Sequence, residues 1–241
     1  MQLQAARLRE CFNSSEQSIV NSKRSIDFKL YLITDRKLFT IHYSLFTAVE
    51  KALKGGVKAI QFREKDLGTR ELLKLAYRMR DLTKKYNARL FINDRVDIAL
   101  AVGADGVHLA QSSIPVDAVR KAVHASRITH HASRFLIGVS THSLKEAKEA
   151  EKAGADFITL GPIYRTPSKL KYGKPLGIDV LRKVSKEVRL PVFAIGGVKA
   201  ERINELISAG AYGVAMISEI FKSEDIQKKT KDILRELLND V

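Results

Sequence analysis

The sequence is poor in the residues that mark several classes of protein. Its 241 residues include one cysteine, no tryptophan and five prolines. Cys11 alone cannot form an intramolecular disulfide, and no cluster of cysteine and histidine indicates structural zinc, so we expect a reducing, cytoplasmic setting. No apolar run approaches the ~20 residues that span a membrane. Residues 1–17 lack the apolar core of a signal peptide, so we expect no secretion.

Acidic residues are also scarce, since 27 Asp and Glu stand against 42 Lys and Arg, for a formal charge of +15. A basic tail would suggest nucleic-acid binding, but residues 1–28 carry a net charge of only +1, and residues 222–241 carry five charges of each sign. The excess therefore lies in residues 29–221. No aromatic residues are interleaved with basic patches, so we expect no nucleic-acid partner. Either a small anionic substrate or a solvated lysine-rich surface explains the charge.

Short apolar runs alternate with amphipathic stretches from residue 29 onward. The runs are rich in Ile, Val, Leu and Phe, which is typical of strands buried on both faces. The eight predicted strands are Lys29–Thr34, Val57–Phe62, Arg89–Ile92, Gly106–Leu109, Phe135–Val139, Phe157–Leu160, Pro191–Ile195 and Gly213–Ile217. The helix-like segments between them include Leu45–Leu53, Thr69–Tyr86, Leu144–Ala153, Val180–Val188 and Ala200–Ala209.

Eight strands with intervening helices predict a single (β/α)₈ TIM barrel of the α/β class over residues 29–241. A doubly wound open sheet is the alternative. Such a sheet would usually have a glycine-rich turn after its first strand, where this chain has Thr34-Asp35-Arg36-Lys37. Residues 1–28 are predicted to be a short N-terminal extension, in which a helix over Gln2–Phe12 precedes a polar loop and could close the bottom of the barrel.

The active site of such a barrel lies at the carboxyl ends of the strands, so the polar residues that follow each apolar run are the candidates. The second run continues as Gln61-Phe62-Arg63-Glu64-Lys65. Because side chains alternate along a strand, Gln61, Arg63 and Lys65 should point to one side, and Phe62 and Glu64 to the other. Two cations aimed into the barrel mouth indicate an anionic ligand. A surface strand end with scattered charges is the alternative.

Polar residues also follow the third and fifth runs. Asp94 could be a ligand of Mg²⁺, and Asn93 could hydrogen-bond a substrate amine or ring nitrogen. An Asn or Asp directly before a helix is also the usual N-cap, and the two interpretations stay open. Ser140, Thr141 and His142 follow the fifth run, where His142 is either catalytic or a cap of the next helix.

Three further loops complete the predicted mouth. A long, hydroxyl-rich loop with at least four cationic residues follows the sixth run over residues 161–177, which is typical of a mobile lid over an anion. Gly196-Gly197 and Met216-Ile217-Ser218 follow the seventh and eighth runs, where barrels of this type commonly bind phosphate. The residues alone therefore predict a barrel enzyme that binds phosphorylated small molecules at two anion sites.

Taken together, these stretches resemble the thiamine phosphate synthase family. The matching pieces fall in order within residues 29–235: Tyr31–Asp35, Gln61–Lys65, Asn93–Asp97, Gly106–Leu109, Gly138–Ser140, Gly161–Tyr164, Thr166–Lys169, Ala194–Gly197 and Met216–Ser218. The resemblance implies a transferase that joins 4-amino-2-methyl-5-pyrimidinylmethyl diphosphate to a thiazole phosphate, giving thiamine phosphate and diphosphate. It also implies a dissociative reaction, in which diphosphate leaves first, and Mg²⁺ as the cofactor.

The resemblance implies roles for individual residues as well. Arg63, Lys65 and Lys169 would be catalytic, because they would stabilise charge on the leaving diphosphate. Asp94 would bind Mg²⁺. The residues that would hold the pyrimidine diphosphate are Gln61, Phe62, Arg63, Glu64, Lys65, Asn93, Ser140 and Lys169. Those that would hold the thiazole phosphate are Thr166, Pro167, Ser168, Gly197, Ile217 and Ser218.

One position departs from the family pattern. After a Gly-Val-His-Leu stretch the family usually has Gly-Gln-Glu-Asp, in which the Asp is the second Mg²⁺ ligand. This chain has Ala110-Gln111-Ser112-Ser113 instead. A hydroxyl is a poorer partner for Mg²⁺ than a carboxylate, so we expect a lower affinity for the metal.

A second family is the alternative. The thiazole tautomerases share the barrel but isomerise a thiazole phosphate, and they typically have a histidine where this chain has Pro162. They also lose part of the Gln-x-Arg-x-Lys and Asn-Asp patterns, which are intact here, so the synthase is favoured. Residues 125–134 form a longer segment between the fourth and fifth runs than is usual. Assembly into a homo-oligomer is left open.

Overall fold

The structure, a computed structural model, describes residues 26–39, 44–125, 135–166 and 174–238. Eight parallel strands close into a barrel in chain order, with the first strand paired to both the second and the eighth. They are β1 (Leu30–Ile33), β2 (Ala59–Phe62), β3 (Arg89–Asn93), β4 (Gly106–Leu109), β5 (Leu136–Thr141), β6 (Phe157–Leu160), β7 (Val192–Ile195) and β8 (Gly213–Met216). The predicted (β/α)₈ barrel is therefore confirmed, and the open sheet is wrong.

Helices surround the barrel in the described part of the chain. They are α1 (Leu45–Lys54), α2 (Thr69–Lys85), α3 (Val96–Ala101), α4 (Val116–Ala125), α5 (Leu144–Lys152), α6 (Gly177–Glu187), α7 (Ile203–Ser208), α8 (Ser218–Phe221) and α9 (Ile226–Leu238). The predicted helix over Ala200–Ala209 is divided, because a 3₁₀ turn at Ala200–Arg202 precedes α7. None of the described helices is both long enough and apolar enough to cross a membrane.

The alternation of side chains along the strands divides the apolar residues into two cores. Leu32, Ile60 and Phe62 face outward and pack in the layer between strands and helices. The inward-facing residues form a separate inner core with two residues that precede β1. This inner core comprises Ile26, Phe28, Tyr31, Ile33, Ala59, Phe91, Leu136, Phe157, Phe193 and Ala215. Its bulky side chains fill the barrel, as is usual for the fold.

The amino-terminal end of the barrel is closed by residues that the sequence assigned to the extension. Phe28 stacks on Phe193 with ring centroids 5.2 Å apart, and Ile26 is buried beside it. The Tyr212 hydroxyl donates to the Ile26 carbonyl. We therefore propose that the barrel domain includes Ile26 and Phe28 rather than beginning at Lys29. The predicted helix over Gln2–Phe12 and residues 126–134 of the long segment lie outside the described residues.

At this closed end, two aspartates that directly precede β4 and β6 hold the first residues of the neighbouring strands β3 and β5. Asp105 Oδ2 accepts from the Leu90 N–H at 2.8 Å and from the Arg80 guanidinium at 2.5 Å. Asp156 repeats the arrangement, since its carboxylate accepts from the Ile137 N–H at 2.6 Å. These two aspartates are thus engaged in the fold, and the opposite end is the one where barrels of this type have their active sites.

Candidate active site

Polar side chains gather on the inner face of the barrel near the carboxyl ends of the strands. They are Gln61 of β2, Asn93 of β3, His108 of β4, Ser140 of β5 and Thr159 of β6. Gln61, His108 and Thr159 are at most 2% exposed, whereas Asn93 and Ser140 are partly exposed. The strand register sets Asn93 beside His108. β5 extends two residues beyond its predicted end because Ser140 pairs with Thr159 of β6. A polar layer therefore lies between the inner core and the mouth.

The chain leaves β2 with its cationic residues at the mouth. The Arg63 N–H donates to Thr34 Oγ1 at 2.9 Å, which ties this exit to the end of β1. Arg63 is partly buried, and Lys65 is exposed. The Arg63 charge reaches the polar layer electrostatically, because it helps to lower the pKa of His108. An anionic group above this layer would thus meet a cation on the β2 side.

Phe62 and Glu64, two of the predicted ligand contacts, are both engaged by the fold. Phe62 is fully buried in the outer core. Glu64 Oε1 accepts from the Thr34 hydroxyl at 2.6 Å, and Oε2 accepts from the Arg36 N–H at 3.1 Å. Burial raises the pKa of Glu64, and these hydrogen bonds oppose that shift. Glu64 and the Arg63 N–H share the Thr34 hydroxyl, so Glu64 helps to hold the chain as it leaves β2, and contact of these two side chains with substrate stays a prediction.

Asp94 is held at the mouth by donors from two loops. Its backbone is left-handed, with φ of 60°. Oδ1 accepts from the Ala110 N–H at 3.1 Å and from the Ser113 hydroxyl, and Oδ2 accepts from the Asn93 amide at 3.1 Å. The N-cap of α3 is Arg95, with no capping bond from a side chain. The N-cap interpretation of Asn93 and Asp94 is therefore wrong.

Asp94 and Ser113 allow the fit of a magnesium ion to be tested. Both offer oxygen, the ligand type that Mg²⁺ prefers, and their side chains touch each other. No group of three or more His, Cys, Asp and Glu side chains that could hold a metal ion occurs among the described residues. Proteins often bind Mg²⁺ through one or two carboxylates, with water and substrate phosphates completing the shell. The two residues fit an ion bound in that way, together with a diphosphate.

His108 joins several members of the polar layer. Its Nε2 lies 3.0 Å from Ser140 Oγ and 3.4 Å from Thr159 Oγ1, and its Nδ1 lies 3.4 Å from the Tyr31 hydroxyl. Burial lowers the pKa of His108 from 6.5 to about 3, the Arg63 charge adds to this shift, and the Asp94 charge opposes it. The imidazole is therefore neutral near pH 7.

His142 serves the start of α5 rather than this layer. Ser143 is the N-cap of α5 and accepts from the Glu146 N–H at 3.2 Å. The Glu146 carboxylate accepts in return from the His142 N–H at 2.6 Å and lies 3.3 Å from its ring. This reciprocal arrangement resembles a capping box, in which both loop and helix donors are satisfied. Of the two predicted roles for His142, the structure supports the one at the helix cap.

The loop after β6 is fastened to the loop after β7. The Tyr164 N–H donates to the Gly196 carbonyl at 2.9 Å, and the Tyr164 hydroxyl donates to Glu205 at 2.8 Å. Gly197 has φ of 67°, and a Cβ there would lie 2.7 Å from the Arg165 carbonyl. Glycine is thus required at position 197 by its backbone and by the crossing loop. Thr166 is partly buried at the edge of the described segment.

Ion pairs at the start of α8 hold the loop after β8 in place. Ile217 is partly buried against both cores, and Ser218 is exposed at the first residue of α8. Burial would raise the pKa of Glu219, but Lys199 at 2.7 Å and Lys229 at 2.6 Å lower it. This ion-pair cluster connects the loop after β7 with α8 and α9. Pro167, Ser168 and Lys169 lie outside the described residues.

Comparison with known proteins agrees with this architecture. A model of the thiamine monophosphate synthase family matches residues 30–220. The chain belongs to this family. The thiamine-phosphate synthase of Clostridium novyi is 42% identical over 208 residues, which cover 86% of this chain and 98% of the relative. The corresponding enzyme of Caldanaerobacter subterraneus is 43% identical over 215 residues, covering 89% and 95%. The solved thiamine phosphate pyrophosphorylase of Pyrococcus furiosus aligns with a TM-score of 0.76 and 37% identity, covering 88% and 96%.

Family membership confirms the resemblance found in the sequence and makes the chain an enzyme of the thiamine monophosphate synthase family. The relatives compared are named as synthases, and the tautomerase alternative is not favoured. The sequence alone assigned no role to Tyr31 or His108. The signal that could have found them is the period of two, which places both on the inner face of the barrel with Gln61 and Ser140.

Proposed function

We propose that the chain condenses 4-amino-2-methyl-5-pyrimidinylmethyl diphosphate with a thiazole phosphate, giving thiamine phosphate and diphosphate. The observation that supports this most directly is the arrangement at the mouth. Gln61 offers a buried neutral group and Ser140 a partly exposed one on the inner face, whereas the charged groups of Arg63 and Asp94 are partly exposed and Lys65 is exposed. Neutral groups on the inner face and charged groups nearer the solvent suit a substrate with a polar heteroaromatic ring at one end and a diphosphate at the other.

In the proposed reaction the bond between the pyrimidine methylene carbon and the diphosphate oxygen breaks first. Arg63, Lys65 and Lys169 stabilise the negative charge that develops on the departing oxygen. The positive charge left on the pyrimidine-methyl group is then captured by the thiazole ring nitrogen, which supplies the electron pair of the new bond. Diphosphate is the product of the first step and needs no proton from the protein.

The second substrate would bind across the loops after β6, β7 and β8. We assign its phosphate to Thr166, Pro167, Ser168, Gly197, Ile217 and Ser218. The bonds that fasten the loop after β6 to Gly196 bring Thr166 toward Gly197, which supports a shared phosphate site. The ion pairs at Glu219 would keep the Ser218 end of the site in place.

Magnesium is part of the proposal as the cofactor. Asp94 would hold the ion with Ser113 beside it, and the bound ion would offset charge on the diphosphate. Asn93 donates to Asp94 and so helps to fix its carboxylate. The proposed partners are the two phosphorylated substrates; a cytoplasmic location, the absence of a nucleic-acid or membrane partner, and assembly into homo-oligomers stay predictions.

The test is formation of thiamine phosphate by the purified protein, measured chromatographically with both substrates over a wide range of Mg²⁺ concentrations. Arg63→Gln should reduce kcat/KM for the pyrimidine diphosphate by about 10- to 100-fold, the worth of a hydrogen bond to a charged group. Arg182→Gln is the matched control, because it removes the same charge on α6, where Arg182 pairs only with Asp179 of its own helix in the described part of the chain.

Absence of product at every Mg²⁺ concentration would overturn the proposal. Equal losses in the two arginine variants would contradict the placement of the diphosphate. Conversion of the unaromatised thiazole phosphate tautomer in the absence of the pyrimidine would indicate isomerisation instead.

A further inference from the structure

Tyr164, in the loop after β6, has a side chain with no role in the reaction described above. Its hydroxyl donates to Glu205 Oε2 at 2.8 Å, and the guanidinium carbon of Arg202 lies 4.3 Å from the centroid of its ring. Arg202 Nη1 lies 3.9 Å from the same Glu205 oxygen. The Tyr164 ring is half-buried and packs against the outer core. We call these three residues the Tyr164 clasp.

The Tyr164 clasp joins the loop after β6 to the start of α7. Arg202 ends the 3₁₀ turn that precedes this helix, and Glu205 lies in the first turn of the helix. The side chains of both partners are about half exposed, and exposed charged groups contribute little to the stability of a fold. We therefore expect the clasp to affect the position of the loop more than the stability of the barrel.

The backbone of Tyr164 holds a glycine peptide that belongs to the proposed phosphate site. The Tyr164 N–H donates to the Gly196 carbonyl at 2.9 Å. The peptide between Gly196 and Gly197 is trans, so its N–H points opposite to its carbonyl and away from the Tyr164 backbone. No hydrogen-bond partner of this Gly197 N–H occurs in the described part of the chain. The N–H is thus a donor that a bound anion can use.

Two consecutive glycines do not keep this peptide orientation by themselves. Gly196 has φ of 91° and Gly197 has φ of 67°. Glycine adopts positive and negative φ about equally well, so the peptide could turn over if its carbonyl were not bound. Tyr164 limits this freedom through its N–H and through its side chain, whose Cβ would lie 2.8 Å from a Cβ at position 197. The direction of the Gly197 N–H therefore depends on where the clasp places Tyr164.

We propose that Tyr164 is a positioning residue, which Arg202 and Glu205 hold so that the Gly197 N–H is presented to the phosphate of the second substrate. The identity of that phosphate rests on the proposed function. The proposed contacts of the pyrimidine diphosphate in the described part of the chain lie on or directly after β2, β3 and β5. The clasp should therefore affect the thiazole phosphate more than the pyrimidine diphosphate.

The kinetic test removes the phenol hydroxyl and leaves the ring in place. Tyr164→Phe should raise KM for the thiazole phosphate by about 3- to 10-fold, as expected for the loss of one hydrogen bond. KM for the pyrimidine diphosphate and kcat with both substrates saturating should change by less than about twofold, because the hydroxyl is engaged by Glu205.

Tyr86→Phe is the matched control. The Tyr86 hydroxyl donates to Glu50 at 2.7 Å, and the Lys85 ammonium lies 5.3 Å from the centroid of its ring, so this variant removes the same kind of hydrogen bond beside a cation. Tyr86 is the C-cap of α2, which leads to the start of β3 at the closed end of the barrel. We expect Tyr86→Phe to leave both KM values unchanged. Equal increases of KM for the thiazole phosphate in the two variants would overturn the inference.

A double-mutant cycle tests whether the hydroxyl acts through Glu205. Glu205→Ala should raise KM for the thiazole phosphate as Tyr164→Phe does, and Glu205→Gln should recover most of the loss because its amide oxygen still accepts from the phenol. In the Glu205→Ala background, Tyr164→Phe should cost less than about twofold. Full additivity of the two changes, or equal KM increases for both substrates, would overturn the inference. Because Glu205 is exposed, Glu205→Ala carries the test if Tyr164→Phe does not fold.

Amide hydrogen exchange tests the Tyr164 clasp without substrate. The N–H of residue 164 should exchange at least about threefold faster in Tyr164→Phe and in Glu205→Ala than in the wild-type protein, and at the wild-type rate in Tyr86→Phe. Unchanged exchange in both clasp variants would overturn the inference and leave the proposed function intact. If no thiamine phosphate forms but this exchange depends on Tyr164 and Glu205, the proposed function fails and the hold of the clasp on the glycine peptide stands.

Discussion

Thr34 joins the ends of β1 and β2, and its replacement should cost both stability and activity. Its side chain is fully buried. The hydroxyl oxygen accepts from the Arg63 N–H at 2.9 Å, and the hydroxyl proton is donated to Glu64 Oε1 at 2.6 Å. Thr34→Val keeps the shape of the side chain and removes both hydrogen bonds.

The expected loss in the free energy of unfolding follows from the two groups that lose their hydrogen-bond partner. A neutral hydrogen bond contributes about 1 kcal/mol, and one to a charged group contributes about 1.5–3 kcal/mol. The variant leaves the Arg63 N–H and a buried Glu64 oxygen without this partner, so the free energy of unfolding should fall by about 3 kcal/mol. For a chain of this size, the melting temperature should fall by roughly 6–12 °C, at about 2–4 °C per kcal/mol.

Thr230→Val is the matched control. Thr230 is equally buried, but its hydroxyl donates to the Ile226 carbonyl of its own helix at 2.7 Å and joins no second strand, so we expect a loss of about 1 kcal/mol or less. Urea unfolding measures the difference, and kcat/KM for the pyrimidine diphosphate tests whether the Arg63 cation has moved. Equal destabilisation by Thr34→Val and Thr230→Val, with unchanged kcat/KM, would refute the role of Thr34 at the mouth.

Three other changes test separate parts of the site. Ser113→Asp should lower the Mg²⁺ concentration needed for half-maximal activity and tighten Mn²⁺ binding measured by calorimetry, because it adds a carboxylate beside Asp94; unchanged metal dependence would show that position 113 is not a ligand position. Lys65→Ala should reduce kcat by about 10- to 100-fold with little effect on KM for the thiazole phosphate, and equal effects on both would contradict its assignment to the leaving group. Gly197→Ala should destabilise the fold by about 1–3 kcal/mol in thermal unfolding and weaken thiazole phosphate binding. Gly103→Ala provides the control for backbone strain, since φ is 61° there but a Cβ would meet no atom within 4 Å, and equal losses in the two variants would exclude a role for the crossing loop.

The barrel could be predicted because its signal is local. Each strand is a short apolar run buried on both faces, and the helices between strands repeat their own period, so the order of elements is visible along the chain. The division of the predicted helix over Ala200–Ala209 could not be predicted, because the pattern of apolar residues does not distinguish a 3₁₀ turn from the first turn of an α-helix.

From the sequence, a side chain could be expected at the mouth only where a strand position and a chemical type coincided. Gln61 and Arg63 satisfy both conditions. Glu64 belongs to the same motif, although the alternation places it on the other side, and its carboxylate accepts from Thr34 and Arg36. His108 has contacts with residues 77 and 32 positions away, and such contacts depend on barrel closure rather than on local sequence.

The depth of each group in the mouth follows from the cost of burying charge. Gln61 and His108 lie deepest and are neutral, Arg63 is partly buried, and Lys65 is exposed. An imidazolium at the position of His108 would be desolvated and would oppose a positive charge forming on a ring above it, which is the charge that the proposed dissociative step requires. The same burial that excludes ionisation at the floor therefore favours a substrate bound with its ring inward and its diphosphate outward. The net charge of +15 does not determine this orientation of the substrate, because it depends on the uncharged groups that lie beneath the cations.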